Sequence, residues 1–405
     1  MSFRIDSCLA CVRADSSGGF RRRLTALLAV AGVAAVVAIS TPAVLAADRG
    51  LADGEILIGQ CAALTGPTRD LGIGMNSGLK AALDEANARG GIFGRKIRLV
   101  ADDDAYDPDK NVDCTGRMIE EKGVFALAGY VGTPTSKVAA PMVQEYKVPL
   151  VGLFTGAMLL RDPVQRYVIN IRASYDDETE ALVEHLTAKR PSSRIAVFYQ
   201  NDSFGLSGLS GMEKALTRRK LSIAAKGSFE RNTLDVKAGL AAILASAPDA
   251  VVIVAPYQPT AAFVRAAREA GLKAQLATIS FVGTESLISE LGAASAGMII
   301  SQVVPSPSDA ACPLSRDYQA AIKASAPASS PSYVGFEGYV GGRVLVAALE
   351  RAGKDLTREK LIDTFQSITH LDVGGMSFTF SESDHQGSRA VYLTTVKDGQ
   401  AQLLP

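Results

Sequence analysis

The chain has 405 residues, carries 42 Lys+Arg against 42 Asp+Glu, and is 47% hydrophobic with no tryptophan. That length exceeds one ordinary hydrophobic core and suits two domains. Balanced charge leaves no electrostatic footprint for nucleic acid or for an acidic membrane surface, and the apolar content excludes a disordered polymer.

Arg21-Arg22-Arg23 stands before an unbroken run of apolar or small residues, Leu24 to Ile39, and then the small-residue site Val44-Leu45-Ala46. This order predicts a secretory signal over residues 1–46, cut after Ala46. The run falls short of the ~20 residues a spanning helix needs. Cys8 and Cys11 lie in that leader. Cys61, Cys114 and Cys312 remain in the exported chain, an odd number without metal-knot spacing, and are expected as buried small residues.

The first folded stretch opens with a β-rich run, Ile56 to Gly59, and a loop over Cys61 to Gly74. A helix with Leu79, Ala82, Leu83 and Ala86 on one face follows and stops at Gly90-Gly91. A strand from Lys96 to Ala101 completes a parallel βαβ unit. Ligands settle at the carboxyl ends of such strands, which makes the opening loop a candidate binding surface. Asp102-Asp103-Asp104 reads as a solvated turn with a helix N-cap, favoured over a calcium site because three carboxylates in a row lack alternate spacing, ahead of a helix from Asp109 to about Lys122.

The strand Val124 to Ala128 leads into Gly129-Tyr130-Val131-Gly132-Thr133-Pro134-Thr135-Ser136. Thr133 is expected as a helix N-cap with Pro134 at the first helical position, leaving the Thr135 and Ser136 amides free for an anion such as a carboxylate. Another strand, Val148 to Leu153, ends on the same rim in Phe154-Thr155-Gly156-Ala157.

From Arg172 the βα pattern restarts. It passes through the strand Arg194 to Tyr199, a helix Gly208 to Lys220, a strand Ser222 to Gly227, a helix Thr233 to Ala245, the all-apolar strand Ala250 to Ala255 and a helix Ala261 to Ala270. An all-apolar run fits a central strand covered on both faces. Beyond Ser301, Pro305, Pro307 and Pro313 mark a loop. Helices Tyr333 to Arg351 and Arg358 to Ser367 then return to cover the first sheet, before closing strands at Ser377 to Phe380 and Val391 to Val396. The expected fold is α/β: two doubly wound parallel-sheet lobes joined by a multi-strand hinge. Residues 47–174 plus 304–376 form lobe 1 and residues 175–303 plus 377–405 form lobe 2, with the chain crossing near 173, 303 and 376.

Nothing points to catalysis, a cofactor or a metal. Gly72 to Gly78 is misspaced for a nucleotide loop, no serine sits in a nucleophile elbow, and His185, His370 and His385 lie beside no nucleophile and in no ligand spacing.

Four motifs together resemble a known family: Ala63-Leu64-Thr65-Gly66-Pro67, Asn87-Ala88-Arg89-Gly90-Gly91-Ile92, Asp102-Asp103 with Asp107-Pro108, and Arg265-Ala266-Ala267-Arg268-Glu269-Ala270-Gly271-Leu272. The chain is similar to the periplasmic solute-binding proteins of branched-chain amino acid ABC transporters, the leucine/isoleucine/valine-binding type with the type I periplasmic binding protein fold. The resemblance implies a periplasmic monomer that performs no chemistry and uses no cofactor. It closes on an amino acid or related small carboxylate and hands it to a permease in the inner membrane; a ligand sensor feeding a receptor or regulator is the alternative. Carried over residue by residue, it implies carboxylate contacts at Thr133 and at Phe154, Thr155 and Gly156. Aromatic contacts fall at Phe204 and Tyr257, and a side-chain contact at Leu71.

Three departures stand out. The positions of the family's first-lobe disulfide look like Tyr106 and Gly132. The acidic partner of the ligand's ammonium falls at Ser280, with Asp202 and Glu285 as the nearest alternatives. A tyrosine of the family is Phe204 here. An uncompensated buried ammonium is costly, so a ligand without an amine, aliphatic or aromatic, enters as an expectation.

Overall fold

The computed structural model describes residues 48–404; the expected signal and its cleavage point at Ala46 lie outside the described residues. The chain opens with β1 (Leu51–Ala52), β2 (Glu55–Ala62), α1 (Arg69–Ala88), β3 (Lys96–Asp103) and α2 (Pro108–Gly116), whose end winds on as a π-helical turn, Arg117–Glu121. It continues through β4 (Ala126–Ala128), α3 (Thr133–Glu145), β5 (Leu150–Val151) and β6 (Val168–Ile169). These strands make a six-stranded sheet with the parallel order β3-β2-β4-β5-β6, and β1 folds antiparallel onto the start of β2.

A second series follows: α4 (Tyr175–Ala188), β7 (Ile195–Gln200), α5 (Ser203–Arg218), β8 (Lys226–Phe229), α6 (Lys237–Ala245), β9 (Ala250–Val254), α7 (Tyr257–Glu269), β10 (Gln275–Thr278), α8 (Thr284–Leu291) and β11 (Ile299–Gln302). The chain then runs through α9 (Pro313–Ser325), α10 (Tyr333–Ala352), α11 (Arg358–Ser367), the hairpin β12 (Leu371–Val373) and β13 (Met376–Phe378), and finally β14 (Tyr392–Lys397) and β15 (Gln400–Leu403). The second sheet has seven strands in the order β15-β14-β11-β10-β9-β7-β8, parallel except for β14 and β15. The all-apolar β9 is buried throughout and lies between β7 and β10, as a strand covered on both faces must.

The late helices cover the first sheet through a close helix pair, α1 on α10. A Cβ at Gly78 would overlap the Gly335 carbonyl and one at Gly338 would overlap the Met75 carbonyl, so these glycines let the two backbones touch. The glycine-rich run after the opening loop is therefore helix packing.

Several boundaries differ from the sequence reading, for local reasons. α5 begins at Ser203, ahead of the expected Gly208, because the Asp202 carboxylate accepts the Phe204 and Gly205 amides and caps the helix early. α7 begins at Tyr257, and β8 lies later than expected. Pro313 opens α9 at its first position, where a missing N–H costs nothing, and does not belong to a loop. Met376, Phe378 and Phe380 pack into the first core. Gln386 pairs with Asn170 beside β6, so we assign the third passage between lobes to residues 387–391 and not to 376.

Two expectations are overturned. Cys61, at the end of β2, is disulfide-bonded to Cys114 in α2, with a Cα–Cα distance of 6.1 Å, so these two are not free small residues and the first lobe does carry a disulfide. A sequence separation of 53 and an odd cysteine count concealed the pair. Cys312 is free and half-buried. The acidic cluster is solvated only in part: Asp103 is exposed and Asp102 half-buried, both at the end of β3. Asp104 is fully buried, accepts from Asn111 Nδ2 (2.8 Å) and the Tyr106 amide (2.9 Å), and is pushed by burial up to about 6. Asp103 accepts the Leu64 and Thr65 amides and so shapes the opening loop, while Asp107 caps α2.

Candidate functional site

The second apolar core does not stop at its own sheet. It continues across the boundary to include Ala62, Ala63, Leu71, Met75, Tyr106, Val131, Phe154 and Ala157 from the first lobe. The strand ends of the two lobes are closed on one another, and of the eight residues singled out in the sequence Leu71, Phe154, Phe204 and Tyr257 belong to this shared core.

On the first-lobe side, the chain turns from β4 into α3 through Gly132, whose φ of 101° suits glycine. Gly132 is the N-cap; Thr133, expected to cap, is the first helical residue. Its hydroxyl instead pairs with that of Thr155 at 2.6 Å, tying the α3 start to the loop after β5. The amide accounting also shifts by one residue. The Ser136 amide, expected free, donates to the Gly132 carbonyl at 3.1 Å. The Thr133 and Thr135 amides have no hydrogen-bond partner among the described residues. The Ser136 hydroxyl is buried and makes no hydrogen bond. A helix N-terminus with free amides carries partial positive charge and favours an anion.

Rings from both lobes meet in front of that turn. Phe281 from lobe 2 stacks on Phe154 with centroids 5.0 Å apart and lies 4.5 Å from Phe204 and 6.1 Å from Tyr106. Tyr175 sits 5.6 Å from Phe204, and its hydroxyl is buried without a hydrogen bond. Its amide donates to the Gly156 carbonyl at 2.7 Å, and its ring leaves no room for a Cβ at Gly156. Leu71 faces Gly283 across the boundary. Tyr257, at the start of α7, is pushed up to about 12 by burial and by the neighbouring Asp70 carboxylate. Gln200 reaches over to donate from Nε2 to the Tyr106 hydroxyl at 3.1 Å, and its Oε1 is buried without a partner.

Ser280 belongs to a different arrangement, on the hinge side. Its amide and hydroxyl both donate to Glu178, at 2.9 and 3.1 Å, and Ser301 donates to the same carboxylate at 2.6 Å. Arg172, in the first passage between lobes, donates to Glu178 and to the Ser280 hydroxyl, and reaches the two oxygens of Glu337 on α10 at 3.3 and 3.4 Å. Burial works against the Arg172 charge, but Glu337 and Glu178 outweigh it and hold its pKa above the ordinary value. Burial, with repulsion from Glu178, pushes Glu337 up to about 7 against the pull of Arg172. The two acids offered as substitutes for Ser280 are committed elsewhere. Asp202 caps α5, and Glu285 accepts the Tyr333 amide at the start of α10, at 3.1 and 3.2 Å.

The sequence reading found the strand-end loops but missed Tyr106, Tyr175 and Phe281 as wall residues, and Arg172, Glu178 and Glu337 as a network. Phe281 adjoins Ser280 at the end of a strand and carried a signal. The network had none, because Glu337, Ser280 and Ser301 each lie more than 100 residues from the Arg172–Glu178 segment they join.

A family model described as periplasmic binding protein matches residues 55–401. The Leu/Ile/Val-binding protein homolog 7 of Brucella suis biovar 1 is 32% identical over 250 residues, a stretch spanning 59% of this chain and 61% of that protein. A possible leucine/isoleucine/valine-binding protein from Rhodopirellula baltica SH 1 superposes with a TM-score of 0.83 at 36% identity, covering 87% of this chain and 96% of its own. A substrate-binding periplasmic protein from Ralstonia solanacearum does so with 0.81 at 31%, covering 86% and 100%. With two mainly parallel α/β sheets closed over a strand-end boundary, and with the family match spanning nearly all of the described residues, the chain belongs to the periplasmic binding protein family, whose members bind rather than catalyse.

Proposed function

We propose that this protein captures a small carboxylate-bearing solute between its lobes and delivers it to the permease of an ABC importer in the inner membrane. The observation that carries the reading is the start of α3. The partnerless amides of Thr133 and Thr135 and the unbonded, buried hydroxyl of Ser136 lie at the positive end of a helix, beside the Thr133–Thr155 hydroxyl pair. Buried donors without acceptors are costly, and a carboxylate would satisfy several at once. Leu71, Phe154, Gly156, Phe204 and Tyr257 would enclose the rest of the solute. Relatives named for leucine, isoleucine and valine support a small apolar solute of this size class. Ser280 would act from behind, through Glu178, and not as a direct contact.

Closure on the solute gives a permease one joint surface made from both lobes, which exists only while the lobes are held together. The test is titration of the exported chain with small carboxylates, followed by Thr133→Ala. Losing one ordinary hydrogen bond should weaken binding by about 0.5–1.5 kcal/mol. Unchanged affinity in a folded variant would remove the Thr133 hydroxyl from the site and leave its amide as the only contact.

A further inference from the structure

We infer that the solute held at this site carries no amine: the boundary is built for an apolar acid, not for an amino acid. The inference rests on the carboxylate reading above and concerns the other end of the ligand. A buried ammonium brings a full positive charge and three N–H donors, and it needs an acid or a set of free acceptors to offset lost hydration.

The buried carboxylates around the boundary are all committed. Glu178 receives four donors, two on each oxygen: Arg172 and the Ser280 hydroxyl on one, the Ser280 amide and Ser301 on the other. Glu337 is held by Arg172, Asp202 by two helix amides and Gln200, Glu285 by the Tyr333 amide, and Asp104 by Asn111 and the Tyr106 amide. Asp70 stands at the half-exposed rim beside Arg69, 3.6 Å away.

The cationic place at the rings is also taken. The Arg172 guanidinium carbon lies 5.5 Å from the Phe154 ring centroid and 5.6 Å from that of Tyr175. A ligand ammonium against those rings would meet the guanidinium, while a plain hydrocarbon or aromatic body would meet only apolar ring surface. Gln200 Oε1 is a buried acceptor without a partner; being neutral, it suits a hydroxyl or amide donor better than a full charge.

Two matched pairs test the inference by calorimetric titration of the exported chain: leucine against 4-methylpentanoate, and phenylalanine against 3-phenylpropanoate. Within each pair only the amine differs. In at least one pair the amine-free acid should bind, and bind about tenfold or more tighter than its amino acid twin, roughly one 1.4 kcal/mol step. Equal or tighter binding of the amino acids would overturn the inference and leave the carboxylate reading standing. Failure of both members of both pairs to bind would sink the carboxylate reading and this inference with it.

Discussion

Two buried polar regions lie side by side between the lobes, and they are built on opposite terms. On the hinge side, Arg172, Glu178, Glu337, Ser280 and Ser301 form a network in which each charge has an oppositely charged partner and Glu178 is bonded on both oxygens. A few residues away, at the start of α3 and among the rings, the Ser136 and Tyr175 hydroxyls and the Gln200 side-chain Oε1 are equally buried and make no hydrogen bond. Folded chains satisfy almost all buried polar groups. The first region therefore reads as architecture, and the second, on the function proposed above, as capacity held for the solute. Serines divide the same way: Ser280 completes a carboxylate's shell, and Ser136 completes nothing within the fold.

The largest effect is expected at Arg172. Its loss leaves Glu178 and Glu337 buried without their cation. Removing one partner of a buried ion pair costs about 3–5 kcal/mol. We expect Arg172→Met to lower the unfolding free energy measured in urea by an amount in that range, or to prevent folding. A loss under about 1 kcal/mol, in the range of exposed pairs, would mean the network is solvated and not structural. Solute affinity in any folded remainder should change through the hinge and not through a lost contact.

The two serines give a smaller and cleaner contrast. Ser280→Ala removes a hydroxyl that donates to Glu178 and accepts from Arg172, and hydrogen bonds to charged groups contribute about 1.5–3 kcal/mol. Its stability should fall by that order. Ser136→Ala removes a hydroxyl that the fold does not use, so stability should hold or rise, while affinity for the solute drops by about 1 kcal/mol, the net worth of one hydrogen bond. Denaturation and titration on both variants separate the roles. If Ser136→Ala destabilises the chain and leaves affinity alone, the assignment of the two regions is reversed.

How much of this was legible beforehand follows the same division. Repeating βα pattern, the apolar β9, the exact span of α11 and the placement of Thr133, Phe154, Thr155, Phe204 and Tyr257 at strand ends are local properties, written in residues near one another. The Cys61–Cys114 bridge, the stacking of Phe281 on Phe154 and the reach of the Arg172 network to Glu337 and Ser280 join segments far apart in sequence. Spacing rules say nothing about such pairings. Even the helix start illustrates the limit: Thr133 looked like a cap by composition, yet its hydroxyl is taken by Thr155, and Gly132 takes the cap.

Glu285 offers the finest adjustment of the comparison, because it joins the lobes outside both regions. Extending from α8, it accepts the amide of Tyr333 at the start of α10, and burial pushes its carboxyl from an ordinary 4.5 up to about 7. A carboxyl with a raised folded pKa binds its proton in the native state before the unfolded chain does. Its effect is therefore stabilising as pH falls from about 7 toward 4.5, and the gain is lost as pH rises through 7. Glu337 acts in the same direction, and His385, whose pKa is lowered by burial, acts in the opposite one as pH drops below 6.5. These backgrounds cancel between wild type and Glu285→Gln, which keeps the acceptor for Tyr333 and removes the titration. The variant should gain melting temperature relative to wild type between pH 5 and pH 8. A difference that stays flat over that interval would mean that the Glu285 carboxyl is hydrated and is not shifted on folding.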